Sequence, residues 1–122
     1  MHRERSIMTV TASCHCGDVR LTIPAMPAEA MSCNCSHCSR KGFLLAFFPA
    51  GQVQIESGAD KVSTYSFNKH VIQHRFCPTC GVQVYAEGKM PDGSPTVAVN
   101  LRCAEDQDLS ALKIKEVDGR SF

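Results

Sequence analysis

The chain has no tryptophan, only two tyrosines, and no excess of either charge: 13 Lys plus Arg stand against 12 Asp plus Glu, a net +1. That balance lacks the basic surplus that drives phosphate contact, so nucleic acid is not an expected partner. The densest basic group, Arg40-Lys41, is too small for such a footprint. No apolar run approaches the about 20 residues of a membrane helix. The first eight residues carry charges with no apolar stretch behind them, unlike a signal peptide. The expectation is a cytoplasmic chain with no membrane partner. Repeats, linkers and low-complexity segments are also missing. The 122 residues therefore predict an N-terminal tail over 1–8 and a single domain over 9–122. What is abundant is cysteine: eight residues, seven of them in three tight clusters.

The clusters are Cys14-His-Cys16, Cys33-Asn-Cys35-Ser-His-Cys38 and Cys77-Pro-Thr-Cys80, with Cys103 alone. A disulfide framework belongs to small secreted chains, and cysteines two residues apart are poor disulfide partners but good neighbouring ligands of one ion. The spacing predicts two zinc sites of unequal completeness. Cys14, Cys16, Cys77 and Cys80 supply the four thiolates of a closed, structural site. A Cys-x-x-Cys turn aims both sulfurs at one ion, and Gly81 suits the positive φ such a turn needs. A thioredoxin-like dithiol would instead open a helix, whereas alternating β residues follow Cys80. Cys14 and Cys16 fit as the other pair if they sit on a strand, where residues i and i+2 share a face about 6.6 Å apart. His15 would then point away.

The middle cluster supplies only Cys33, Cys35 and Cys38, with His37, Cys103, water or a substrate atom open as the fourth ligand. Zinc with three thiolates carries formal charge −1 and is a poor generator of hydroxide. Such a site suits an incoming thiol, held as thiolate for attack on an electrophile. Arg40 and Lys41 stand nearby in sequence, suited to moderating the negative charge or meeting a substrate carboxylate. His70 and His74 are candidate proton carriers on one strand face.

Elsewhere the periodicity has a step of two, the mark of strands with one buried face. Val19–Ile23, Gln52–Glu56, Val62–Phe67, Val71–Phe76, Val82–Tyr85 and Thr96–Leu101 are predicted strands, and Phe43–Phe48 a fully buried one. One short helix is expected near 36–41 and one helical turn over 108–112. The predicted fold is mainly β, a small zinc-stabilised assembly of several short antiparallel sheets with little helix.

Taken together, Cys14-His-Cys16-Gly-Asp-Val-Arg20, Cys33-Asn-Cys35-Ser-His-Cys38 and Phe76-Cys77-Pro-Thr-Cys80-Gly81 resemble the ordered signature of the glutathione-dependent formaldehyde-activating enzyme (Gfa-like, centromere protein V) family. Tyr65–Phe76 and Val97–Cys103 are similar to its shorter bacterial members. The resemblance implies a β-tent fold and a structural zinc on Cys14, Cys16, Cys77 and Cys80. It also implies a second, labile zinc on Cys33, Cys35 and Cys38 that glutathione ligates or displaces. The implied activity is a carbon–sulfur lyase type: addition of a glutathione thiolate to formaldehyde or a similar small carbonyl. The alternative is a zinc-stabilised binding or structural module without catalysis.

Overall fold

A computed structural model describes residues 9–67 and 72–119. The expected tail over 1–8 and His70 lie outside these residues. The fold is mainly β, as the alternating patterns predict. Strands β1 (Val10–Ser13), β2 (Arg20–Ile23) and β5 (Gln54–Ser57) form a three-stranded antiparallel sheet in the order β1-β2-β5. A seven-stranded sheet runs β10-β3-β4-β9-β8-β7-β6. Its members are β3 (Glu29–Cys33), β4 (Leu45–Pro49), β6 (Ser63–Tyr65), β7 (Gln73–Phe76), β8 (Gln83–Lys89), β9 (Pro95–Asn100) and β10 (Lys113–Val117). Pairing is antiparallel except at one edge, where β10 lies parallel to β3 with Val117 opposite Cys33. The one α-helix among the described residues, α1 (Ser36–Lys41), falls where the sequence predicts it. Leu109–Ala111 form a 3-10 turn capped by the Asp108 carboxylate, which accepts from Ser110 N at 3.1 Å.

The side-chain alternation of β4 and β9 divides the interior into two clusters. Leu44, Ala46, Val97 and Val99 face the small sheet and pack with Val10, Leu21 and Ile23 in the main core. Each such buried aliphatic side chain contributes about 1.5–3 kcal/mol relative to exposure. Their neighbours Phe43, Leu45 and Ala98 face the other way, where they pack with Ala86 and Cys38. Ala86 and Ala98 are directly paired across β8 and β9, and two methyl groups make a shallow floor on which α1 approaches the sheet. Phe47 departs from expectation. The run Phe43–Phe48 is not buried throughout, because Phe47 lies on an uncovered stretch of the sheet and is 47% exposed.

Strands β3 and β10 have no counterpart in the sequence reading. Glu-Ala-Met-Ser-Cys offers no β-branched residue, and the side chains of Lys113–Glu116 are all exposed. Their pairing spans most of the chain, which no local pattern reports.

Candidate metal centres

Cys14 follows β1 and enters a tight turn rather than a strand, so its relation to Cys16 is not the strand geometry expected from the sequence. Gly17, at φ +87°, permits the turn, which Cys14 N closes by donating to Val19 O at 3.0 Å. Val19 N donates in turn to Cys14 Sγ at 3.3 Å. A matching turn between β7 and β8 carries the other pair, with Gly81 at φ +82° and its N–H donating to Cys77 O at 2.8 Å. The first turn hangs from the small sheet and the second from the large one. A metal shared between them would clip the two sheets together.

The sulfurs fit such an ion. Those of Cys14, Cys16, Cys77 and Cys80 all lie within 4.8 Å of one another. Cys14 to Cys16 is 3.7 Å and Cys16 to Cys77 is 3.6 Å. A tetrahedron of metal–sulfur bonds of about 2.3 Å has edges of about 3.8 Å. A disulfide would need about 2.05 Å, and all eight cysteines are free. Backbone donors and neighbouring sulfurs move Cys80 and Cys16 in opposite directions. Donation from Val82 N–H, then Cys16 N–H, pulls Cys80 down to about 6. The Asp18 N–H pulls Cys16 the same way, yet partial desolvation of its sulfur and the sulfurs of Cys77, Cys14 and Cys80 push it up to about 12.

The second group sits in the other cluster, on the far side of the large sheet. Cys33 ends β3, Cys35 is the N-cap of α1, and Cys38 lies one turn into the helix. Cys38 N donates to Cys35 Sγ at 3.2 Å. Burial opposes ionisation of Cys35, but the Cys38 and His37 N–H groups outweigh it and lower its pKa. Burial, then Cys35, raises that of Cys38. These three sulfurs also lie within 4.8 Å of one another, and among the described residues no fourth His, Cys, Asp or Glu atom joins them. The chain after β10 closes over the group: Asn34 N donates to Val117 O at 3.1 Å, and Asn34 Nδ2 to Asp118 Oδ1 at 2.9 Å. Gly119 then lies against Cys33 Sγ and Cys35 Cβ so closely that a Cβ has no room.

The family model for glutathione-dependent formaldehyde-activating enzymes matches residues 9–116, nearly the whole chain and all eight cysteines. The chain belongs to this family. It is also similar to the crystal structure of a Rhodobacter sphaeroides protein, with a TM-score of 0.72 and 25% identity, covering 86% of this chain and 99% of the other.

Other residues flagged in the sequence fall elsewhere in this Gfa-family domain. Cys103 is not near the three-cysteine group. It sits in the main core, its thiol donating to Gln83 O at 3.7 Å, and burial, then the charges of Cys14 and Cys80, raises its pKa to about 11. His15 is exposed. His37, Arg40 and Lys41 line a cleft of about 560 Å³ whose lining does not include Cys38. Arg40 Nη1 donates back to Ser36 O at 2.8 Å, and Lys41 Nζ lies 5.6 Å from the centre of the Phe76 ring. Neither meets the cysteine sulfurs. His74 is buried in β7, its ring centre 4.1 Å from that of His37. Burial and the Lys41 charge hold His37 below its usual pKa. Burial, then His37 and Lys41, take His74 down to about 4.

The low value for His74 has a consequence for stability. An unfolded histidine protonates near about 6.5, whereas folded His74 does so near about 4. Between these values the unfolded chain binds more protons, so the contribution is full above the upper value and lost as pH falls through the window. Urea unfolding of the metal-loaded protein at pH 7 and pH 5 should show a loss larger by roughly 1–2 kcal/mol than in His74→Gln. Equal losses in the two proteins would place the acid sensitivity at the thiolates instead.

Gly119, Asp118 and Gln83 were not flagged by the sequence. A lone Gly, Asp or Gln carries no signal there; only the return of β10 to β3 and the packing of β8 reveal their roles.

Proposed function

We propose that this protein adds a small-molecule thiol, with glutathione the expected one, to formaldehyde or a similar small carbonyl, a carbon–sulfur lyase reaction in its reverse sense. Cys14, Cys16, Cys77 and Cys80 would hold a structural zinc, and Cys33, Cys35 and Cys38 a second one. The observation that carries the reading is the difference between the two groups: four converging sulfurs against three. When bound to three thiolates, the metal supplies a position at which an incoming thiol is held as thiolate.

The chain's own residues supply the binding. Cys33 and Cys38 open onto a recess of about 270 Å³ whose walls include Asn34, Ser39, Arg102 and Glu116. Arg102 is held by donation from its Nε to Gly42 O at 2.6 Å. Its remaining N–H groups suit a substrate carboxylate, and Glu116 suits an ammonium. A zwitterionic peptide thiol offers both. The sulfur's electron pair forms the new bond to the carbonyl carbon, the C=O π bond opens onto oxygen, and the proton lost by the thiol ends on that oxygen. Thiol and carbonyl combine with nothing left over.

Cobalt substitution tests this. Titrating glutathione into the dicobalt protein should change the thiolate-to-metal and d–d bands saturably, with cysteine weaker, a non-thiol peptide silent, and the response lost in Cys35→Ser. Unchanged bands with two full equivalents of metal bound would overturn the reading in favour of a structural module.

A further inference from the structure

The cleft lined by His37, Arg40 and Lys41 is separate from the thiol recess, since the two share no lining residue. Its wall is a stack of flat rings: His37 lies on Tyr65 with centres 5.5 Å apart and planes 18° apart, and on Phe67 at 5.2 Å. Tyr65 is half exposed, so a face of the stack remains open. The rim carries Arg40 and Lys41, and the described lining holds no carboxylate. At the floor, Gln83 is only 4% exposed. Its Nε2 pairs with His74 Nδ1 at 3.0 Å, while its Oε1 is buried with no partner. His37 Nδ1 is buried and unpartnered as well. Buried polar atoms are nearly always satisfied, so two orphans on side chains that line one cleft call for a partner.

From this geometry we infer that the cleft is a second ligand site, for a planar aromatic anion. Its ring lies on the Tyr65–His37–Phe67 stack, its anionic group meets Arg40 and Lys41, and a hydroxyl or N–H at the other end donates to Gln83 Oε1 as that side chain turns from the wall toward the cleft it lines. Stacking supplies area, the cations select charge, and Gln83 selects a donor. Formaldehyde, having no ring and no charge, matches none of these features. The site stands independently of the thiol reaction proposed above.

The probe is 4-hydroxybenzoate, titrated into the zinc-loaded protein and followed by calorimetry and by amide chemical shifts. Saturable binding is expected, weakened roughly tenfold in Tyr65→Ala and in the double variant Arg40→Gln/Lys41→Gln, each of which alters exposed side chains only. The methyl ether, 4-methoxybenzoate, should bind more weakly for want of a donor, and the uncharged 4-hydroxybenzyl alcohol more weakly still. Cys35→Ser should bind the probe normally, and the bands of the dicobalt protein should not respond to it. Absence of saturable binding, equal affinity for the neutral alcohol, or undiminished affinity in both variants would overturn the inference. A change in the cobalt bands would do so too, placing the probe at the three-cysteine group.

Discussion

Cys77→Ser is expected to remove the folded state altogether. The Cys77 side chain is fully buried, its sulfur 3.6 Å from that of Cys16 across 61 residues of chain. Closing a loop of that length costs on the order of 4 kcal/mol of chain entropy. The four thiolates of the proposed structural site more than offset that cost, since such a metal contributes about 10–16 kcal/mol of apparent folding free energy. Domains of this size are stable by only about 5–15 kcal/mol in total. Serine would also bury a hydroxyl in place of a thiolate. A far-UV and calorimetric melt should show no cooperative transition, and metal analysis less than one tightly held equivalent. Cys16→Ser, on an exposed residue, separates ligand loss from the cost of burial and should also lose that equivalent. If Cys77→Ser melts within a few degrees of the parent, the assignment of a structural metal to this group is wrong.

Gly119→Ala is expected to do the opposite, sparing the fold and emptying the second site. Its backbone does not need the left-handed region, so the substitution adds only a methyl group. That methyl would collide with Cys33 Sγ and crowd Cys35 Cβ. The strap has little freedom to retreat, because Asn34 ties both Val117 O and the Asp118 carboxylate. Cys33 must give way instead, and three sulfurs converge no longer. We expect one metal equivalent retained, the second lost or weakened by tenfold or more, and thiol-addition activity lost with it. The melting temperature should fall by no more than about 5 °C, the effect of roughly 1 kcal/mol. Gly51→Ala, with open space around its added carbon, serves as the neutral control. Full occupancy of the second site in Gly119→Ala would show that the strap yields and has no part in forming it.

The strands legible in the sequence are those whose one face is buried. Leu21 and Ile23 alternate with Arg20 and Thr22 because the small sheet covers the main core on one side only. β8 and β9, buried on both faces, were found instead through their β-branched and apolar content. β3 and β10 were missed because parallel pairing at an edge is held by backbone hydrogen bonds between distant segments, and exposed Lys-Ile-Lys-Glu carries no burial signal. The short helix falls where the sequence places it, directly after the middle cysteine cluster, with Cys35 as its N-cap. Arg40 and Lys41 misled. Closeness in sequence to Cys38 suggested closeness to its sulfur, yet their long side chains line the cleft with Tyr65 and Phe76 instead.

By itself, the sequence determined the fold class, the family and the grouping of the cysteines, because pairs and triplets within a few residues of each other encode local turns whatever the rest of the chain does. Only the tertiary structure decided that the two groups lie on opposite sides of the large sheet, that the end of β10 seals one of them with Gly119, and that Gln83 and the stacked rings of His37, Tyr65 and Phe67 enclose a separate cleft. Those features arise from contacts between segments tens of residues apart, where burial and pairing are settled by the sum of many weak interactions and leave no local mark.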